Sequence, residues 1–354
     1  MVGRVLIVAS LVLIVVTVLP LARCEVWWVR GWDFPRLQIA IGAVSVCLYA
    51  AFRIEAAVSL EAAALASGAA CFLYQVSRIL PYTPLFRCEV KRAGVVKDSR
   101  RLRLLSSNVL VSNRDTNRLI GCIREERPDV FVTLESDARW EKALDELADE
   151  YPHTIKRPLD NAYGMHVYSR LPLEDVRVEY LVEPDVPSMH ATVVLRSGER
   201  VRLHVLHPAP PSPTENETSE ERDAELVMVA KHIAAHESGP VVVTGDLNDV
   251  AWSTTTRLFR KLSRLLDPRI GRGMLNTFHA RWIFARWPLD HFFHSEHFTL
   301  VELRRLPAIG SDHFPILIEL ALESERGTAS ETPRPDSEDE RLARRKLENV
   351  GEAS

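Results

Sequence analysis

From Val5 to Ala22 the chain carries no charged side chain, and Arg4 and Arg23 bracket the run. Wound as a helix at about 1.5 Å per residue, such a stretch is roughly 27 Å long, close to the hydrocarbon thickness of a bilayer. It exceeds the apolar region of a secretory signal, and Arg23 spoils a small-residue cleavage site before Cys24. Two further uncharged runs follow, Leu37 to Phe52 between Arg36 and Arg53, and Ala62 to Ser77 ending near Arg78. They are shorter and rich in alanine, which suits close helix packing more than lipid contact. Residues 1–85 are therefore predicted to form a membrane region of about three transmembrane helices. Trp27, Trp28 and Trp32 cluster around Arg30 between the first two runs. Indoles concentrate at headgroup level, so this segment is expected to act as an interfacial anchor.

Past residue 85 the composition changes. Residues 86–101 form a basic linker with Arg87, Lys91, Arg92, Lys97, Arg100 and Arg101, read as a solvated juxtamembrane segment drawn to anionic headgroups or as a patch that steers substrate. Counted literally, the positive-inside rule puts this cluster, and the large domain behind it, in the cytoplasm. The net charge of −4 and pI near 6.3 give no global basic signature for nucleic acid. Strand patterns recur at 102–108, 129–134, 164–169, 190–195, 201–206, 241–245, 289–294, 299–304 and 314–320. Amphipathic helical patterns occupy 114–127, 139–149, 219–237 and 252–266. Strands outnumber helices and often follow one another directly, which predicts a sheet sandwich flanked by helices over residues 102–322. Residues 323–354 are charged, contain Pro and Ser, and are poor in aromatic residues, so they are expected to be a disordered tail. The five cysteines show no metal-thiolate spacing; a Cys24 to Cys88 disulfide is conceivable, and two free thiols are the simpler expectation.

Chemistry gathers at strand ends. Val241-Val242-Val243 is a buried-strand signature that Gly245 breaks where Asp246, Asn248 and Asp249 appear. On an extended chain Asp246 and Asn248 point the same way and would face one phosphate or one water. An ordinary turn is the alternative, because Gly-Asp and Asn-Asp are common turn formers. Ile309-Gly310-Ser311-Asp312-His313 sets an acid and an imidazole at another strand edge, Phe131 to Leu134 ends in Glu135, and Leu104-Leu105-Ser106-Ser107 ends in Asn108.

Together these stretches resemble the endonuclease/exonuclease/phosphatase superfamily, the DNase I-like metal-dependent phosphoesterases, over roughly residues 103 to 321. The overall likeness is to bacterial membrane-linked members. The resemblance implies a DNase I-like two-sheet α/β sandwich flanked by helices, preceded here by the transmembrane helices. It also implies that Asp246 orients and deprotonates the attacking water, Asn248 holds the phosphate, and His313 hydrogen-bonds a phosphoryl oxygen. Asp290, in Pro288-Leu289-Asp290-His291, matches the acid that orients that histidine, and His207, in Leu206-His207-Pro208, matches a histidine that assists the leaving group. Glu135 is the expected principal metal ligand, with Asn108 and Asp312 near it; one or two carboxylates with retained waters suit Mg²⁺ or Mn²⁺. Some nuclease members carry an acid where this chain has Leu110, which removes a second metal carboxylate at that corner. His204 reads as structural, His291 and His294 as residues flanking Asp290 on its strand, and Ser253 as the cap of the following helix. The implied substrate is a phosphodiester, either nucleic acid or phospholipid-like, and the implied location is the bacterial cytoplasmic membrane. By resemblance alone the catalytic domain lies on its outer side, against the charge count. The rival expectation is an inactive member of the fold serving as a membrane-bound interaction module.

Overall fold

The computed structural model describes residues 2–22, 24–53, 59–323 and 332–351. Arg23 and parts of the predicted tail, 324–331 and 352–354, lie outside these. The chain begins with α1 (Val2–Val18), the single turn α2 (Trp27–Arg30), α3 (Arg36–Arg53) and α4 (Leu60–Ile79). Three helical segments, Gly3–Leu21, Arg36–Arg53 and Leu60–Tyr82, are long and apolar enough to cross a membrane. The alanine-rich pattern has the predicted consequence: Ala43, Ala50, Ala64 and Gly68 are buried between α3 and α4. A Cβ on Gly68 would sit 2.8 Å from Cys47 Sγ. Val5, Val8, Leu48, Phe52 and Leu73 face outward, an apolar exterior that fits lipid rather than water. At the end of the bundle nearest the sheets, Arg36 is buried; it pairs with Asp33 and donates to Gln75 Oε1 at 2.9 Å, and Gln75 Nε2 donates to Thr17 Oγ1 at 3.1 Å. The bundle is fastened to the rest of the chain where Trp252 Nε1 donates to Asp33 O at 2.7 Å and Tyr82 Oη donates to Ala251 O at 2.6 Å.

The basic linker is not solvated along its length. Its middle lies along a sheet edge: Leu300 N donates to Lys91 O and Ala93 N to Leu300 O, both at 2.9 Å. Val90 is fully buried in the main core. Arg260 donates to both oxygens of Glu89 at 2.6 and 2.7 Å. Apolar Val90 and an acid with a buried partner override the charge count around them.

Eleven strands among the described residues form two sheets. They are β1 (Arg101–Asn108), β2 (Val130–Leu134), β3 (His153–Arg157), β4 (Met165–Ser169), β5 (Leu173–Glu179), β6 (Ser188–Val194), β7 (Arg200–Leu206), β8 (Val241–Asp246), β9 (Asp290–His294), β10 (Phe298–Arg305) and β11 (Ile316–Leu322). One sheet has the order β10-β11-β1-β2-β4-β3 and the other β5-β6-β7-β8-β9. Among these strands only β1 with β2 and β7 with β8 run parallel. The two sheets pack face to face over Leu102, Leu104, Val130, Val132, Leu203, Val205, Val242, Phe292 and Ile318. Odd and even positions separate cleanly. On the outer face of the first sheet, Leu105 and Phe131 pack under α5 (Thr116–Glu126) and α6 (Ala138–Leu144). Val241 and Val243 pack under α7 (Glu220–His236) and α8 (Thr254–Ser263) on the other side. Ser253 caps α8, its Oγ accepting from Thr256 N at 2.9 Å.

The tail differs from expectation. Ser337–Gly351 is a helix, α9, with Ala343 buried and Leu342 and Leu347 packed against the layer beneath α7 and α8. Its sparse apolar residues share one face at helical spacing, so a charged segment still docks. Lys346 Nζ reaches the buried Asp223 at 2.5 Å and Glu25 at 3.1 Å, and Arg222, held by Asp223, donates to Asn248 O at 2.8 Å. Burial would raise the Asp223 carboxyl, but Lys346 and Arg222 hold it well below the usual range. Lys346→Met keeps the aliphatic stem and removes the charge. We expect it to cost about 1–3 kcal/mol, since Asp223 keeps Arg222 but loses a charged hydrogen bond. Chemical unfolding of the detergent-solubilised chain would show this as a lower midpoint, whereas an unchanged midpoint would mean that α9 contributes no docking energy.

Candidate active site

Strand parity assembles the site. Leu102 and Leu104 point into the inter-sheet core, so Asn108, of the same parity, ends β1 on the inner face. The same count from Leu203 and Val205 puts His207 just past β7 on that face, and Val242 and Phe292 do so for Asp246 and Asp290. Register then fixes neighbours. Leu206 pairs with Gly245, and Asp246 lies directly opposite Asp290. A side chain at Gly245 would place Cβ 1.8 Å from Leu206 O, and its φ of +143° is a glycine conformation, so this strand crossing requires glycine.

Two buried carboxylates opposite one another on adjacent strands repel. The imidazole of His313 resolves the conflict. Its Nδ1 donates to Asp290 Oδ2 at 2.7 Å, and its Nε2 lies 3.4 Å from Asp246 Oδ2. Burial alone would lower the imidazole pKa, but the flanking Asp290 and Asp246 raise it to about 10, so the ring is a cation at neutral pH. Burial also works against the Asp246 carboxylate. The His313 and His207 rings, the Asn248 backbone N–H and the Asn108 amide outweigh it and hold the group below its ordinary range. Asp246 is thus a buried anion with a cation beside it.

Glu135 enters from the other sheet. It follows β2 with a left-handed φ of 56°, a conformation uncommon outside glycine and often found where a side chain is turned into a site. Asn108 Nδ2 donates to Glu135 Oε1 at 2.7 Å and to Asp246 Oδ2 at 3.1 Å, clasping carboxylates from both sheets, while its Oδ1 accepts from Leu110 N. Burial, with the charges of Asp312 and Asp246, pushes the Glu135 carboxyl up to about 7 against the pull of Asn108 and His313. This is a carboxylate short of positive charge, which a hard divalent cation supplies. A metal bound at Glu135 would supply that charge. Asp246, Asp290 and His313 also bring ligand atoms within 4.8 Å of one another. As they stand, the three form an ion-paired triad, with the His313 ring between the two carboxylates. Asn108 offers N–H rather than oxygen to Glu135, which suits a positioning role more than ligation.

The remaining predicted residues fall as follows. Asp312 adjoins His313, and its charge acts on both Glu135 and His313. His207 is buried with its Nδ1 unpartnered; burial lowers its pKa to about 4 against the opposing pull of Asp246, so it is neutral. Asn248 departs from the extended geometry expected of it. The strand ends at Asp246, Asn248 takes a left-handed φ of 50°, and its Nδ2 donates to Pro208 O at 3.0 Å. Its backbone N–H is instead the group that braces Asp246 Oδ1, at 2.9 Å.

Sequence reasoning missed three contributors. Tyr163 brings its ring to 5.5 Å from that of His207, and its hydroxyl donates to Glu215. Asn113 donates to Val109 O and Ile309 O, both at 3.2 Å, tying the loop after Asn108 to the loop that bears His313. Phe278 packs its ring 4.9 Å from His313. None lies in a motif; each arrives by tertiary contact. Away from the site, His190 and His204 meet across β6 and β7 with their Nδ1 atoms 2.7 Å apart, and His291 is held by Arg269 and Asp249 O, so these buried rings have structural partners.

Two mixed sheets packed face to face, helices outside and a carboxylate-imidazole site at one rim make up the DNase I-like α/β sandwich. The chain belongs to the Endonuclease/Exonuclease/phosphatase family, whose profile matches residues 105–313. Among curated proteins none matches the sequence. Among solved structures, an endonuclease/exonuclease/phosphatase from Beutenbergia cavernae is 22% identical, covering 63% of this chain and 72% of its own, with a TM-score of 0.52. The human Nocturnin catalytic domain with bound sulfate is 15% identical over 64% of this chain and 96% of its own, with a TM-score of 0.53. D. rerio TDP2 complexed with a single strand DNA product is 18% identical over 62% and 98%, with a TM-score of 0.52. At these identities the likeness concerns the fold.

Proposed function

We propose that this protein is a membrane-anchored, divalent-metal-dependent phosphoesterase that hydrolyses a phosphodiester. The observation that carries the reading is the buried Asp290-His313-Asp246 triad, joined through Asn108 to the charge-deficient Glu135. A structural ion pair has no need of a third carboxylate held near neutrality beside it, whereas a phosphoryl-transfer site needs both a base and a cation centre.

In this reading Glu135, with Asp312 nearby, holds Mg²⁺ or Mn²⁺, and Asn108 orients it. When bound, the ion neutralises charge on the phosphoryl oxygens. Asp246 accepts a proton from water as the water oxygen bonds to phosphorus, and the P–O bond to the leaving group breaks with its electron pair passing to the departing oxygen. The His313 imidazolium, kept charged by Asp290, donates to a phosphoryl oxygen. In this reading neutral His207 would hydrogen-bond the leaving oxygen, and Asn248 would contact the phosphate. The three apolar helices tether this chemistry to a bilayer, and the phosphodiester is either nucleic acid or phospholipid-like.

The test is turnover of bis(p-nitrophenyl) phosphate by the full chain in detergent. We expect hydrolysis that a chelator abolishes and added Mg²⁺ or Mn²⁺ restores. No hydrolysis of this or other phosphoesters at any metal concentration would instead favour an inactive interaction module.

A further inference from the structure

An apolar cavity of about 850 Å³, within the range of small-molecule pockets, adjoins the site. One end borders the site: Asn248 lines it, and so does Phe278, whose ring packs against His313. The other end belongs to the membrane region. Trp27, Trp28, Trp32 and Phe34, from the segment joining the first two apolar helices, form that wall. Aromatic rings make the surface continuous between the ends: Phe278 lies 6.4 Å from Trp287, and Trp287 lies 5.5 Å edge-on from Phe34.

A second apolar feature lies beside the same end of the helices. Phe278 and Trp287 pair as a bridge at the base of an excursion whose tip carries Trp282, Ile283 and Phe284, exposed by 67%, 68% and 87%. Three consecutive large apolar residues this exposed are unfavourable in water. Their position explains them: Phe284 O accepts from Gln38 Nε2, in the first turn of α3, at 2.7 Å. The tip therefore sits beside the point where an apolar helix begins; for a helix that crosses a bilayer this is the headgroup and acyl boundary, where tryptophan and phenylalanine concentrate.

We propose that the cavity receives the hydrocarbon part of a membrane-resident amphiphile whose phosphoester head reaches Asn248 and His313. The proposal rests on the phosphoesterase reading above and narrows its substrate to a lipid phosphoester. A nucleobase can stack on a single ring of this wall, but an alkyl or isoprenoid chain matches the wall along its length and reaches the mouth without leaving the bilayer.

The experiment uses the full chain in phosphatidylcholine nanodiscs with methyl, decyl and thymidine p-nitrophenyl phosphodiesters. Each methylene entering the cavity is worth up to about 4-fold, so kcat/KM for the decyl ester is expected to exceed that for the methyl ester by at least ~10-fold. Part of any gain comes from partitioning into the bilayer, which Trp28→Asp and Phe34→Asp share with the wild type. In both variants the decyl-to-methyl ratio is expected to fall at least ~5-fold, each variant's own methyl ester rate being the reference. A ratio near one, or one that both variants retain, overturns the proposal and leaves the hydrolase intact. A preference for the thymidine ester overturns it in favour of nucleic acid. If no ester is hydrolysed, the phosphoesterase reading fails, and the cavity is judged by binding alone. Decyl phosphate, and not methyl phosphate, must then raise the unfolding midpoint of the wild type more than that of Phe34→Asp; absence of that difference overturns the proposal.

Discussion

Asp246→Asn is expected to lower kcat on an aryl phosphodiester by about 10²- to 10⁴-fold with KM little changed. The substitution preserves shape, and an amide oxygen can still accept the Asn248 N–H that now reaches Asp246 Oδ1 at 2.9 Å. What it removes is an anion that the site works to keep. The carboxylate is fully buried, and its low pKa reflects His313, His207, Asn248 and Asn108 overcoming the desolvation penalty. An amide cannot take the proton of water, and it no longer helps to keep His313 charged. Two parts of the proposed chemistry thus fail together. Steady-state kinetics on protein of unchanged circular dichroism would measure the loss, and wild-type turnover in the variant would exclude Asp246 as the base.

The second large effect concerns the start of the folded domain. A chain beginning at Lys97 looks reasonable from composition, because the apolar runs have ended and basic residues intervene. It is expected to be destabilised by about 4 kcal/mol or more relative to one beginning at Leu85. Removing Glu89 strands the buried Arg260 guanidinium, and an uncompensated buried charge costs about 3–5 kcal/mol. Losing Val90 opens the main core, with the burial of a valine worth about 1.5–3 kcal/mol. The edge of β10 also loses its hydrogen bonds to Lys91 and Ala93. Against a typical margin of about 5–15 kcal/mol, this is a large share. Unfolding of the two chains by urea would decide: equal midpoints would show that residues 85–96 are a passive tether.

What was legible in the sequence was whatever local pattern encodes. Asn108 and Asp246 were readable because alternation carries parity to a strand's last residue, Asp290 because it opens a strand of the same kind, and the three apolar runs because length and absence of charge are local; Glu135 follows β2 with a left-handed backbone that alternation does not foresee. The segments that composition misjudged have their partners far away in sequence. Residues 86–101 looked solvated until Glu89 met Arg260, and Ser337–Gly351, within the stretch read as a disordered tail, is a helix whose Leu342, Ala343 and Leu347 meet the layer under α7. β3 and β5 went unnoticed for a related reason. Both are edge strands with few buried residues, formed by pairing with β4 and β6 rather than by their own pattern. Asn248 was assigned a strand geometry that its left-handed backbone denies. The cavity was invisible to sequence because its walls come from residues near 30, 210, 248 and 280.

The central claim is that Glu135 serves a metal and Asp246 serves the water, and the Mg²⁺ dependence of turnover for the wild type, Glu135→Gln and Asp246→Asn tests it most directly. Glutamine keeps the size of Glu135 and removes the charge that a hard cation needs. Turnover by Glu135→Gln should therefore require more Mg²⁺ than the wild type and be partly restored at high concentration. Asp246→Asn should reach half of its maximum at the wild-type Mg²⁺ concentration with a ceiling lower by about 10²-fold or more. Rescue of Asp246→Asn but not of Glu135→Gln by excess metal would reverse the two roles, and full activity in both variants would contradict the site itself.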